Sequence, residues 1–123
     1  MFETIRIETD PRGVAHLWLA REAKHNALSA QMIAELTRAA ASLGADPAVR
    51  VVVLAAEGKS FCAGGDLGWM QDQMRADAET RRAGARDLAM MLNALNCLPK
   101  PLIGRVQGNA FGGGVGMISV CDV

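Results

Sequence analysis

Two stretches hold the residues best suited to chemistry. The first is Lys59-Ser60-Phe61-Cys62-Ala63-Gly64-Gly65-Asp66-Leu67, and the second is Gly108-Asn109-Ala110-Phe111-Gly112-Gly113-Gly114-Val115-Gly116. Each follows a short apolar run and precedes a segment with helical spacing. Small residues between a strand and a helix leave main-chain N–H groups without partners. Such donors suit an oxygen that is gaining negative charge. Glycine also has a plainer use there, positive φ or close packing of strand on helix. Two such loops, each at the exit of a strand, favour a binding site beyond the carboxyl ends of an α/β sheet.

Other chemistries find less support. Gly58-Lys59-Ser60 resembles the end of a P-loop, but the first glycine of that motif would fall on Val53. Counted from Gly112, the third glycine of a dinucleotide fingerprint falls on Met117. Ser60 and Ser119 have no nearby histidine to activate them, so no nucleophilic triad is expected. His16 lies inside a strand pattern and reads as a face-filling side chain. With His25 it makes only two histidines, too separate for zinc, and no metal site is expected. Cys62, Cys97 and Cys121 form no C-x-x-C pair and read as free thiols of a reducing compartment. Thirteen basic residues balance thirteen acidic ones, which gives no electrostatic case for nucleic acid or an anionic membrane as partner. The N-terminus lacks a signal-peptide pattern and no apolar run is long enough to span a bilayer, so the expected location is cytoplasmic.

The elements that must position the two loops follow from periodicity. Residues 2–8 alternate around Ile5 and Ile7, Asp10-Pro11-Arg12-Gly13 signals a turn, and Val14 to Leu19 reads as a second strand. Residues 2–20 are thus an expected antiparallel hairpin. Ser29 is the expected N-cap of a helix over 30–43, with Met32, Ile33, Leu36, Ala40 and Leu43 on one face and Gly44 ending it. Residues 50–55 read as a central strand, apolar on both faces and covered on two sides. Residues 69–97 are helical in pattern, with Asp77 and Arg81 at i,i+4 and a stripe of Leu88, Met91, Leu92 and Leu95. Met70, Met74, Met90 and Met91 read as gap-fillers. Pro99 and Pro101 stop the helix, 102–107 is the next strand, and 115–120 a short helix. Cys121-Asp122-Val123 looks like a strand starting. The order ββαβααβα predicts a single α/β domain that is not closed by its last strand.

The motifs then become specific. Ser60-Phe61-Cys62-Ala63-Gly64-Gly65-Asp66-Leu67 resembles the first signature of the enoyl-CoA hydratase/isomerase (crotonase) superfamily. Gln107-Gly108-Asn109-Ala110-Phe111-Gly112-Gly113-Gly114 resembles the second, and Lys24-His25-Asn26-Ala27-Leu28 and Cys121-Asp122 also match. Members are about twice as long, so residues 1–123 resemble the N-terminal part of one. The resemblance implies a ClpP/crotonase-type spiral of repeated ββα units, here incomplete. It implies an acyl-CoA thioester substrate, with coenzyme A arriving as part of it and no separate cofactor. It implies a homo-oligomer, a trimer or dimer of trimers. The oxyanion hole maps to the backbone N–H groups of Ala63 and Gly113, with the positive end of the following helix adding to the second. Substrate and CoA contacts map to Lys24, His25, Ala27, Phe61, Ala63, Gly64, Gly65, Asp66, Leu67 and Gly116. Asp66 is also expected to hold its loop and cap the next helix.

One departure bears on the chemistry. Family hydratases commonly carry a glutamate three residues after the oxyanion glycine, and this chain has Gly116 there. No Glu follows Glu79, so the general base is expected beyond Val123. The resemblance therefore implies an enoyl-CoA hydratase-like lyase of fatty acid or leucine catabolism whose residues 1–123 alone are inactive and poorly behaved as a monomer. Asp66-Leu67-Gly68-Trp69-Met70 and the Gly-Val-Gly variant resemble methylglutaconyl-CoA hydratase-like members. The alternatives are a non-catalytic acyl-CoA-binding or interaction module and a crotonase-type isomerase using one base.

Overall fold

The computed structural model describes residues 2–123. Four strands make one sheet in the order β1-β2-β3-β4: β1 Ile5–Thr9, β2 Val14–Leu19, β3 Val51–Ala56 and β4 Leu102–Gly104. The hairpin forms as its turn residues require, with β1 antiparallel to β2 and Ile5 opposite Leu19. β3 lies parallel to both β2 and β4, so the chain crosses over twice. Helix α1, Ala30–Ala45, makes the first crossing; α2, Leu67–Arg75, and α3, Ala78–Asn96, make the second. Helix α4, Gly113–Ser119, follows β4.

Packing is one-sided. Ala15, Leu17 and Leu19 of β2 and Val52 and Leu54 of β3 are buried with Met32, Leu36, Met91 and Leu95 from α1 and α3. On the other face Val51 and Val53 are half-buried beside His16 and Trp18. The expectation that β3 is covered on both sides is therefore corrected: its apolar pattern is continuous, but helices pack on one face. His16 stacks on Trp18 with ring centroids 6.1 Å apart, a packing role as expected.

Helix ends differ from the sequence pattern where packing overrides it. Ser29 caps α1 by accepting from the Met32 amide at 3.2 Å. Gly44 does not end α1, which continues to Ala45; a Cβ at 44 would stand 3.1 Å from Pro99, so glycine there admits the chain leaving α3. The freed carbonyls of Leu43 and Asp46 accept from Lys100. The helical stretch 69–97 breaks at Ala76-Asp77, because Asp77 caps α3 by accepting from the Thr80 amide at 2.8 Å. That carboxylate makes no pair with Arg81, which donates instead to the Ala76 carbonyl. Of the four methionines read as gap-fillers, only Met91 is in the core; Met70, Met74 and Met90 are exposed. β4 stops at Gly104, three residues short of expectation. Residues 121–123 form no strand, yet Asp122 donates to Leu102 O and Gly104 donates to Val123 O along the edge of β4.

Glu35 is a core residue that its charge concealed. It is 2% exposed and accepts from the amides of Glu3 and Thr4 and from the Thr4 hydroxyl at 2.6 Å. Burial pushes its carboxyl up, but the bonds from Thr4 and Glu3 outweigh that and hold it below the usual range. It ties the start of β1 to α1.

Candidate active site

The loop after β3 is built against the segment that leaves β2. Arg21 to Leu28 turns sharply there, with His25 and Asn26 both left-handed at φ 52° and 55°. Asn26 is fully buried and fully used. Its Oδ1 accepts from the Arg21 amide at 2.8 Å, and its Nδ2 donates to the carbonyls of Glu57 at 2.8 Å and Ser60 at 3.0 Å. Leu28 and Gly65 form a parallel bridge: Leu28 N–H donates to Gly64 O at 2.7 Å and Asp66 N–H donates to Leu28 O at 2.9 Å. In such a pair the N–H of the bridged residue points to the opposite side. Asp66 caps α2 by accepting from the Trp69 amide at 2.9 Å, and Arg21 pairs with it at 3.0 Å. The Trp69 amide, opposed by burial and helped by Arg21, holds the Asp66 carboxyl below its usual range.

The second loop lies on the first. The amides of Phe61 and Cys62 both donate to Asn109 O, and Phe111 N–H donates to Cys62 O at 3.0 Å. Glycine is required where the two main chains meet. A Cβ at Gly108 would stand 1.9 Å from the Lys59 carbonyl oxygen, and one at Gly114 would stand 2.7 Å from that of Cys62. Gly64, at φ 93°, faces Phe111 O and the Gly112 Cα. The loops thus converge at Gly64 and Phe111-Gly112, one residue before Gly65 and Gly113 respectively.

Which amides are free decides the chemistry. Ala63, expected as a donor to substrate, is occupied: its N–H donates to His25 O at 3.0 Å. Regular strand alternation would point the amides of residues 63 and 65 the same way. Gly64, at φ 93°, breaks that alternation, so the Ala63 amide meets the 21–28 segment while that of Gly65 turns from it. Among the described residues, no acceptor takes the amides of Gly65, Gly112 or Gly113. Gly65 N–H points away from Leu28, and Gly113 is the first residue of α4. The free donors are therefore Gly65 and the start of α4, with the alanine two residues earlier excluded.

A groove of about 650 Å³ runs along the Gly65 side and brings together Lys24, His25, Ala27, Ala63, Gly65, Asp66 and Leu67 of the expected contacts; Gly113 is not among the residues that line it. Lys24 and His25 are exposed at it, and Met70 closes one side. A second cleft of about 290 Å³ lies between α1 and α3, lined by Ala30, Ile33, Thr37, Trp69, Asp87 and Met90, and takes in none of the expected site residues. Phe61 does not line the groove: its side chain is in the core and its amide is bound to Asn109. Gly64 is buried behind Gly65, and Gly116 faces Leu92, whose Cδ1 would be 3.2 Å from a Cβ there. No carboxylate replaces the missing one; Leu28, Leu88 and Leu92 surround the glycine face of α4. Cys62 is pushed up by burial and remains a neutral thiol in the core. Among the described residues no cluster of His, Cys, Asp and Glu could hold a metal ion, and no helix is long and apolar enough to cross a membrane.

Three features were not visible in the sequence. Ser60 does have a histidine beside it: His25 Nδ1 lies 3.1 Å from Ser60 Oγ, brought there by the left-handed turn. Among the described residues no carboxylate orients that ring, so the pair lacks the third member of a triad. Arg21 and Asn26 were also missed as site residues, because their partners lie 31 to 45 positions away.

The model of the enoyl-CoA hydratase/isomerase family matches residues 9–123. An enoyl-CoA hydratase of Alternaria alternata is 38% identical over 111 residues, 90% of this chain and 35% of its own length. The peroxisomal Delta(3,5)-Delta(2,4)-dienoyl-CoA isomerase of Arabidopsis thaliana is 34% identical over 131 residues, 98% of this chain and 46% of its own. The crystal structure of an enoyl-CoA hydratase from Shewanella pealeana superposes with a TM-score of 0.96 at 37% identity, over 99% of this chain and 46% of that one. The chain spans about half the length of that structure, and about a third to a half of these relatives.

Proposed function

Since the chain belongs to the enoyl-CoA hydratase/isomerase family, we propose that its two loops form the oxyanion-stabilising half of an acyl-CoA site. The observation that carries this reading is the pair of free amides, Gly65 and Gly113, presented by loops that are hydrogen-bonded to each other. A thioester carbonyl gains negative charge when the α-carbon is deprotonated or the β-carbon is attacked. Two fixed N–H groups stabilise that charge without reorganising, and one such donor is worth on the order of 10²–10³ in rate, about 3–4 kcal/mol. Gly65 here takes the role that the family resemblance implied for Ala63.

The rest of the groove fits the same substrate. Lys24 and His25 are placed for the phosphates of coenzyme A, and Trp69 and Met70, which lie against Gly65, for the acyl chain. The base is a separate matter: residues 2–123 offer none at the hole, and one from a following segment or a second subunit completes the reaction. Hydration in fatty acid or leucine breakdown, a cytoplasmic location and a trimer or dimer of trimers belong to the same proposal. A one-base double-bond isomerase is the second reading. It is favoured by the apolar surroundings of Gly116 and by the similarity to a dienoyl-CoA isomerase.

Titration of ¹⁵N-labelled protein with crotonyl-CoA tests the donor pair. The Gly65 and Gly113 amide protons are expected to move downfield together, and Ala63 to stay in place. Movement of Ala63 in place of Gly65, or of neither glycine, overturns the assignment.

A further inference from the structure

We infer that Arg21 is a positioning residue for the Gly65 amide, an inference that rests on the reading of Gly65 as a donor to the thioester oxygen. The Leu28–Gly65 bridge is held by only two main-chain bonds, one on each side of Gly65. Gly65 has no side chain to lock it, and Gly64 before it sits at φ 93°. Where its N–H points therefore depends on what fixes the residues on either side of the bridge. The Arg21 guanidinium does this from outside the ladder. It donates to Ala27 O at 2.7 Å, next to Leu28 on one strand of the bridge. It donates to Asp66 Oδ1 at 3.0 Å, next to Gly65 on the other. One planar group thus spans both flanks at fixed separation.

The surroundings make that span stiff. The side chains of Arg21 and Asp66 are 23% and 18% exposed, so the pair is sheltered from screening more than an ordinary surface ion pair. Arg21 is itself anchored, since its amide donates to the buried Asn26. Asp66 is anchored too, through its bond from the Trp69 amide at the start of α2. A lysine at position 21 offers one charged head in place of a two-pronged fork, and can hold one flank but not both. The Met70 thioether, 3.1 Å from where a Gly65 Cβ would be, fills space beside the glycine without fixing its amide direction.

The test is the infrared band of ¹³C-carbonyl crotonyl-CoA bound to the purified protein, read beside thermal melting and the affinity for free coenzyme A. Bound to the wild-type chain, the carbonyl band is expected to shift to lower frequency. Arg21→Lys is expected to melt cooperatively and to keep its affinity for free coenzyme A, but to lose most of that shift. Asp66→Asn, which keeps an acceptor oxygen for the cap but removes the charge partner, loses a smaller part; should Arg21→Lys fail to fold, this variant decides. A full shift in the substituted protein overturns the role of Arg21 while leaving the Gly65 reading intact. Equal weakening of free and acylated coenzyme A, with the shift retained, makes Arg21 a phosphate contact and overturns it as well. No shift in the wild type overturns the reading of Gly65, and this inference with it.

Discussion

The two loops reach the same place by opposite means. The first, residues 57–66, is fastened by side chains: Asn26 holds its start, Arg21 and Asp66 hold its end, and Gln107 donates to Gly58 O at 2.8 Å. The second, residues 105–112, contributes that Gln107 side chain and is otherwise held by side chains that are missing. Gly108 and, just beyond it, Gly114 let main chain press on main chain, and bonds from Phe61, Cys62 and Phe111 follow from that contact. Polar ties can be removed one at a time and give graded losses. A glycine contact has no intermediate state, because the first carbon added already overlaps a carbonyl that cannot rotate away. The first loop is therefore adjustable and the second is not.

The strongest break is Gly108→Ala. Its Cβ would fall 1.9 Å from the Lys59 carbonyl oxygen, so either loop must leave the other. The expected cost is at least about 4 kcal/mol, in the range reserved for severe core damage. Urea denaturation measures it, with Gly65→Ala as the matched control in the first loop. There the added carbon crowds the Met70 side chain, which can swing, and meets the Trp69 ring at an ordinary 3.6 Å, so the expected cost is below about 1 kcal/mol. Equal losses in the two variants erase the contrast.

The same contrast governs what the sequence could show. The hairpin, the cap at Ser29, the apolar stripes and the glycines of the second loop are local signals, and each stands where its pattern places it. The first loop is set by long-range polar bonds, and local pattern does not show those. Ala63 and Gly65 are both small residues in one motif, and nothing local says which amide the His25 carbonyl will take. His25 meets Ser60 only because two consecutive residues turn left-handed. Asp77 and Arg81 have ideal spacing for a pair, yet a free amide at a helix start is the stronger claim on Asp77. Glu35 has nothing local to mark it as buried, because the Glu3 and Thr4 groups that bind it lie at the start of the chain.

Asn26→Ala sharpens the comparison from the other side. It leaves the Glu57 and Ser60 carbonyls and the Arg21 amide without their partner inside the protein, and keeps φ at 55° on a residue that disfavours it. About 3 kcal/mol is expected, from a buried cluster losing its bonds at roughly 1 kcal/mol or more each. Asn26→Gly removes the strain but not the bonds, and is expected to recover about 1 kcal/mol of it. Stability measured for the pair separates the two contributions. Full recovery in Asn26→Gly means that the polar ties are worth nothing, and that the first loop too is set by backbone shape.

The smallest effect is the most specific, because the ion pair of Arg21 with Asp66 fastens the first loop and no ion pair fastens the second among the described residues. Asp66 has its carboxyl lowered in the folded protein by the Trp69 amide, with burial opposing and Arg21 assisting. A lowered folded value means that its contribution is complete above the unfolded value, about 3.9, and fades as pH falls through the folded one. Wild type minus Asp66→Asn is thus expected to be about 1 kcal/mol at neutral pH and to shrink toward zero near pH 2. Taking the difference removes the other lowered carboxyls, such as Glu35, which titrate alike in both proteins. Gly108→Ala measured over the same range has no titrating group at its contact, so its cost stays level with pH wherever both proteins fold. A level difference for Asp66→Asn as well means that neither the cap nor the Arg21 pair fastens this loop, and the division between charge-held and contact-held halves of the site is lost.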